Sequence, residues 1–206
     1  MSRPRIEPVE PPYAPEIQEA FDKIMPPGRP PLNIFRTYAR HPLLLKRVMA
    51  LGAALLSHGK LPARDRELVL LRTCARCGSA YEWGVHVTAF ARPLGFSDEE
   101  IRATAVGAAS DPVWSARDRL LIELADDLHD ASTVSDGRWR ELARHWSEEQ
   151  VLELINVAGF YHAISFMTNA CGIAGEPFAE PFPPSVRGAG ARERLASERD
   201  GVAEDR

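Results

Sequence analysis

Glu67-Leu-Val-Leu-Leu-Arg-Thr-Cys-Ala-Arg-Cys-Gly-Ser-Ala-Tyr-Glu-Trp-Gly-Val-His86 is the stretch whose reading decides the fold. It packs two carboxylates, an imidazole, a Cys-x-x-Cys pair, a Tyr and a Trp into one apolar segment. Its apolar residues recur at helical spacing, and Gly78 interrupts them. Ser79-x-x-Glu82 then has the form of a capping box. The spacing therefore predicts two helices meeting at Gly78, the first over about Ala63 to Arg76.

Upstream, Pro15 opens a short helix to Met25 with Ile17, Ala20, Phe21 and Ile24 on one stripe, and the run Pro26-Pro27-Gly28-Arg29-Pro30-Pro31 stops it. Pro42 to Leu56 repeats Leu44, Leu45, Val48, Met49, Leu51 and Leu55 at three- and four-residue intervals, an amphipathic helix with a wide buried face. Downstream, Ser97-x-x-Glu100, Ser115-x-x-Asp118 and Ser147-x-x-Gln150 each announce a helix, and Asp136 to Trp146 suggests another. The last, from Glu148 to about Cys171, is apolar on more than one stripe. No sustained alternation of β-branched and aromatic residues marks a strand. The expectation is an all-α helical bundle.

With 206 residues and 45% hydrophobic content, one core is expected. The division read from composition is a Pro-rich arm with one short helix over 1–30, a single helical domain over 31–175, and a Pro-rich, then charged, disordered tail over 176–206. The Phe residues of the Pro-rich part can still pack as an arm. A net charge of -4, with acidic and basic residues interspersed, gives no electrostatic footprint for nucleic acid. The N-terminus has no apolar leader segment, and no run reads as the roughly 18 apolar residues of a membrane span. A cytoplasmic protein with no membrane partner is expected. Cys74, Cys77 and Cys171 are too few and too unevenly placed for a disulfide framework.

Arg66-Glu67 before a hydrophobic helix, then Tyr81-Glu82-Trp83 and His86, resembles the carboxymuconolactone decarboxylase-like family, which includes the AhpD-like alkyl hydroperoxide reductase proteins. Asn33-Ile-Phe-Arg-Thr-Tyr-Ala-Arg-His-Pro42 and the pattern from Asp118 through Trp139 to Gly159-x-Tyr161 extend the likeness over roughly residues 30 to 175. The resemblance implies an all-helical fold that assembles as trimers or hexamers. The family's redox branch places Cys-x-x-Cys-x-x-x-His so that the first Cys follows a glutamate by twelve positions. The same interval from Glu67 reaches Ser79, then Glu82 and His86, so both thiols of that motif are absent here. Cys74-x-x-Cys77 lies five residues too early, at the C-terminal end of a helix, where the dipole disfavours thiolate.

The resemblance therefore implies a cofactor-independent acid/base enzyme that decarboxylates or isomerises a small carboxylated lactone or organic acid. In this reading His86 is the acid/base, Glu82 its orienting partner or a second base, and Glu67 a base or hydrogen-bond anchor. Tyr81, Trp83 and Ser79 line the substrate pocket. Two alternatives stand beside it: a thiol-dependent peroxidase or disulfide reductase using Cys74 and Cys77, and a non-catalytic helical assembly protein. An ion pair to Arg64, Arg66 or Arg72 is the plain role for Glu67, and a cap on Ser79 the plain role for Glu82. No ligand spacing marks a metal site, and no Gly-rich loop follows a strand, so no metal or nucleotide cofactor is expected.

Overall fold

Residues 3–184 are described by a computed structural model, and among them every regular element is helical. In chain order these are α1 (Pro15–Ile24), α2 (Asn33–Tyr38), α3 (Pro42–Ser57), α4 (Ala63–Arg76), α5 (Ala80–His86), α6 (Asp98–Val106), α7 (Ala116–Ala131), α8 (Asp136–His145) and α9 (Glu148–Cys171). A π-helical turn, Val87–Ala91, continues α5. The charged part of the expected tail, from residue 185 onward, lies outside the described residues.

Helix α4 is the axis. Every residue from Asp65 to Cys74 is buried, because α7, α9, α5 and α6 pack around it. A helix enclosed on all sides has no polar face, so each charged side chain on it needs a partner inside the protein. Asp65 accepts from Arg117 Nη2 at 2.6 Å and from Trp146 Nε1 at 2.8 Å. Arg72 forks onto Asp126 at 2.7 and 2.8 Å and donates to the Gly107 carbonyl at 2.9 Å.

Gly78 ends α4 with φ of 62°, a left-handed conformation that a side chain resists, and α5 starts in a new direction. Helices α6 and α9 carry the complete capping boxes expected at Ser97/Glu100 and Ser147/Gln150, and Ser115 caps α7. Ser79 does not cap. Its hydroxyl pairs with Thr168 Oγ1 on α9 at 2.9 Å, and α5 has no side-chain cap. The difference is in the backbone: ψ is 159–164° at the capping serines but 86° at Ser79, which turns the hydroxyl away from the first helical N–H groups.

Two further expectations change. Helix α3 buries Leu45 and Leu55 but leaves Leu44 and Leu51 exposed, so its covered face is narrower than the apolar pattern suggests. Helix α9, with 24 residues and mean hydropathy 1.3 in its most apolar window, is by length and composition able to cross a membrane. Here it is a core helix: Val151, Leu154, Val157, Ala158, Tyr161 and Ile164 are all buried.

The segment after α9 runs back across α5. The Glu180 N–H donates to the Gly84 carbonyl at 3.1 Å, and Phe182 meets Trp83 edge-on at 5.2 Å. A Cβ at Gly84 would overlap the Glu180 carbonyl oxygen. Gly84→Ala should therefore lift this strap, destabilising the protein by about 1–3 kcal/mol as overpacking does. Amide hydrogen exchange at Glu180 checks it: the variant should exchange faster there, while protection along α4 follows only the global loss.

Candidate functional site

Helix α4 supplies Glu67 from the middle of the core, and α5 supplies Glu82 and His86, four residues apart on one face. Their exposures are 0%, 6% and 4%, so these ionisable groups answer to each other rather than to water. Glu67 Oε2 lies 2.9 Å from His86 Nδ1. A carboxylate there accepts the Nδ1–H, which leaves Nε2 as the acceptor. The Tyr161 hydroxyl donates to Nε2 at 3.1 Å, and Glu82 Oε2 stands 3.8 Å from the same nitrogen. Burial, with the Glu82 and Glu67 carboxylates nearby, pushes the Tyr161 phenol well above its ordinary range, so it keeps the proton it donates. The other Glu67 oxygen, Oε1, takes both Arg66 Nε and Nη2 at 3.3 Å. Phe90 stacks on the imidazole with ring centroids 4.8 Å apart.

Glu82 is the group whose protonation the site changes most usefully. Burial pushes its pKa up to about 7; His86 pulls against that shift and Glu176 adds to it. Two more phenols feel the same carboxylate. Tyr38 is pushed up to about 12 by burial and by Glu82, and Tyr81 is raised by burial and by Glu176. Tyr81 donates to Glu176, whose Oε1 also accepts the Asn33 N–H at 2.6 Å. The result is a carboxyl poised between its two forms at neutral pH beside an oriented imidazole, an arrangement suited to proton transfer.

The thiols are differently placed. Cys74 is fully buried and Cys77 half-buried, and burial raises both, with the Glu82 and Glu67 charges adding to the effect on Cys74. Neither environment favours thiolate. A surface groove of about 340 Å³ between the N-terminal arm and α1, lined by Val9, Tyr13, Ile17 and Arg40, contains none of the site residues.

Residues 42–126 match the carboxymuconolactone decarboxylase family. Over those residues the chain is similar to that family. No curated protein matches the chain. Among solved structures, an uncharacterized peroxidase-related protein from Silicibacter sp. TM1040 superposes with a TM-score of 0.74 at 18% identity, covering 86% of this chain and 96% of its own. The alkylhydroperoxidase AhpD core protein from Ralstonia eutropha JMP134 gives 0.69 at 20% identity, covering 85% and 95%. The debrominase Bmp8, solved in complex with 2,3,4-tribromopyrrole, gives 0.65 at 16% identity, covering 84% and 92%. At these identities the likeness is one of fold.

Glu67, Glu82 and His86 converge, and the geometry selects between the two roles open to each glutamate. Glu67, not Glu82, holds the imidazole by the shorter contact, and Glu82 faces the opposite nitrogen. Of the three arginines near Glu67 in sequence, only Arg66 pairs with it; Arg64 goes to Glu100 and Arg72 to Asp126. Tyr81 lies near Glu82 but is tied to Glu176 and the Ile34 N–H. Trp83 donates to Thr104 Oγ1 at 2.9 Å, and Ser79 turns to Thr168. Tyr161, Tyr38 and Glu176 were not singled out from the sequence as site residues. Tyr161 sits 75 positions from its histidine, and no local spacing joins the two.

The raised Glu82 carboxyl makes a prediction about stability. The native state holds a proton on Glu82 between about 4.5 and about 7, where the unfolded chain has released it. Stability therefore falls as pH rises through that window, by about 3 kcal/mol in all. Glu82→Gln should remove that loss. In urea unfolding across a pH series, the variant should exceed the parent by about 3 kcal/mol above pH ~7.5, with the two converging as pH falls toward ~4.5. Parallel curves would mean that Glu82 stays ionised.

Proposed function

We propose that this protein is a cofactor-independent acid/base enzyme of the carboxymuconolactone decarboxylase type, acting on a small carboxylated lactone or organic acid. The observation that carries the reading is the Glu67–His86–Glu82 array, with a carboxyl of raised pKa at the position where the redox branch would have its second thiol. Decarboxylation breaks the bond between the carboxylate and the ring carbon. The electron pair stays in the skeleton as an enolate-like charge, CO2 leaves, and a proton must arrive at carbon. Protonated Glu82 supplies it, and the Nε2 lone pair of His86 then takes up a proton from solvent and passes it to the Glu82 carboxylate, which restores the site. Isomerisation uses the same pair with the proton removed and replaced. Glu67 and Arg66 hold the imidazole in the tautomer that this requires.

A panel of small carboxylated lactones tests the proposal. Glu82→Gln and His86→Ala should each lower kcat by about 10²–10⁴-fold, while Cys74→Ser and Cys77→Ser leave it nearly unchanged. Full turnover by both site variants would remove the mechanism. The second reading, a thiol peroxidase, draws on the peroxidase-related descriptions of two structural relatives and on the Cys-x-x-Cys itself. It requires peroxide reduction that disappears in either serine variant, and the burial of both thiols weighs against it.

Self-association belongs to the same proposal. Leu43, Leu44 and Leu51 on α3 and Leu152 and Phe166 on α9 are exposed, and the two helices pack on each other. Apolar side chains of this size on neighbouring helices favour a second copy of the chain. Light scattering should report a trimer or hexamer, and a Leu51→Glu/Phe166→Glu double variant should shift it toward monomer.

A further inference from the structure

Away from the carboxylate array, three half-buried residues from three helices meet at one point. Cys77 is the C-cap of α4, His129 lies in the last turn of α7, and His162 is in the middle of α9. Cys77 Sγ, His129 Nδ1 and His162 Nε2 all lie within 4.8 Å of one another. The sulfur is 3.9 Å from His129 Nδ1, and the two ring nitrogens are 2.9 Å apart.

We propose that Cys77, His129 and His162 form a binding site for a single transition-metal dication of the zinc type. The donor set is one thiol sulfur and two imidazole nitrogens, which suits a borderline-soft ion and not magnesium or calcium. With bonds of about 2.3 Å to sulfur and about 2.0–2.1 Å to nitrogen, tetrahedral ligands stand about 3.3 Å apart for nitrogen to nitrogen and about 3.6 Å for sulfur to nitrogen. The observed 2.9 and 3.9 Å come within a few tenths of an ångström of these spacings.

His162 already has its ligating form, while His129 must move its proton from Nδ1 to Nε2 and Cys77 must lose its own. His162 Nδ1 donates to the Ala158 carbonyl at 2.8 Å, which fixes the tautomer with its lone pair on Nε2, facing the cluster. Metal-bound histidines are oriented by this kind of outer contact. Arg76, the residue before Cys77, is held by Asp126 and Asp130, so its charge does not stand unopposed against an incoming ion. The Cys77 carbonyl accepts from Asn169 Nδ2 at 2.9 Å, tying the end of α4 to α9. On binding, the Cys77 S–H bond breaks, the sulfur bonds to the metal as thiolate, and one proton passes to solvent. Three protein ligands at a half-exposed position leave the fourth coordination place to water.

The site is separate from the acid/base array, although the two adjoin along α9: Tyr161 reaches His86, and the next residue, His162, reaches His129. Titration of the full-length chain with zinc, by calorimetry and against a chromophoric chelator, should give one ion per chain. Cobalt substitution should give a tetrahedral visible spectrum with a thiolate-to-cobalt charge-transfer band. Cys77→Ser, His129→Ala and His162→Ala should each weaken zinc binding by more than about 100-fold, beyond the cost of losing an outer contact. Cys171→Ser should leave it unchanged. Binding that survives all three substitutions, or that is lost instead in His86→Ala, overturns the proposal. Should a variant fail to fold, the cobalt spectrum of the parent chain decides alone, and absence of the charge-transfer band refutes the site.

Discussion

The constraint on which this structure rests is the complete enclosure of α4. A helix surrounded by four others can carry a charge only where a partner is brought to it, because an unpaired buried ion costs several kcal/mol. Asp65 is answered by Arg117 and Trp146, Arg72 by Asp126 and the Gly107 carbonyl, and Glu67 by Arg66 and His86. These pairs tie α4 to α7, to the end of α8, to the loop after α6 and to α5. The candidate site is thus not an addition to a finished core. The contact that satisfies Glu67 is the contact that orients His86.

Glu82 follows the opposite rule. Its neighbours leave its charged form disfavoured, and its pKa near 7 records that cost. Nothing in the packing of α5 requires a carboxyl there, since Ser79, its expected capping partner, is engaged by Thr168. A residue that lowers stability at neutral pH, beside one that is held rigidly, is the pattern of a site kept for chemistry. The bend at Gly78 makes it possible: had α4 and α5 run on as one helix, Glu67 and His86 would lie 19 residues apart along a single rod, about 30 Å from each other.

Much of the fold was legible because its signals are local. The serine caps of α6, α7 and α9 and the glycine at 78 mark helix ends within four residues of chain. The same motif misled at Ser79, where the preceding left-handed glycine sets a ψ that no sequence pattern reveals. Helix α2, a six-residue element leaning on Tyr81 and the Glu176 carboxylate, has too little periodicity of its own to be read. Tyr161 and Glu176 joined the site only in three dimensions. So did His129 and His162, which lie 52 and 85 residues from Cys77.

The assignment of roles within the array shows where spacing stops being informative. Two groups four apart on a helix share a face, so Glu82 and His86 read as the natural pair. Sharing a face does not say which ring nitrogen a carboxylate meets. Glu67, arriving from the neighbouring helix, takes Nδ1 at 2.9 Å, and its link to Arg66 secures it there. Glu82 is left 3.8 Å from Nε2, too far to lock the ring and near enough to exchange a proton with it after a small movement or through a bound substrate. The imidazole therefore has a fixed side and a working side. An orienting carboxylate on the buried helix and a titrating one on the bent helix are consequences of which element each belongs to, and that division gives the proposed acid/base pair its direction.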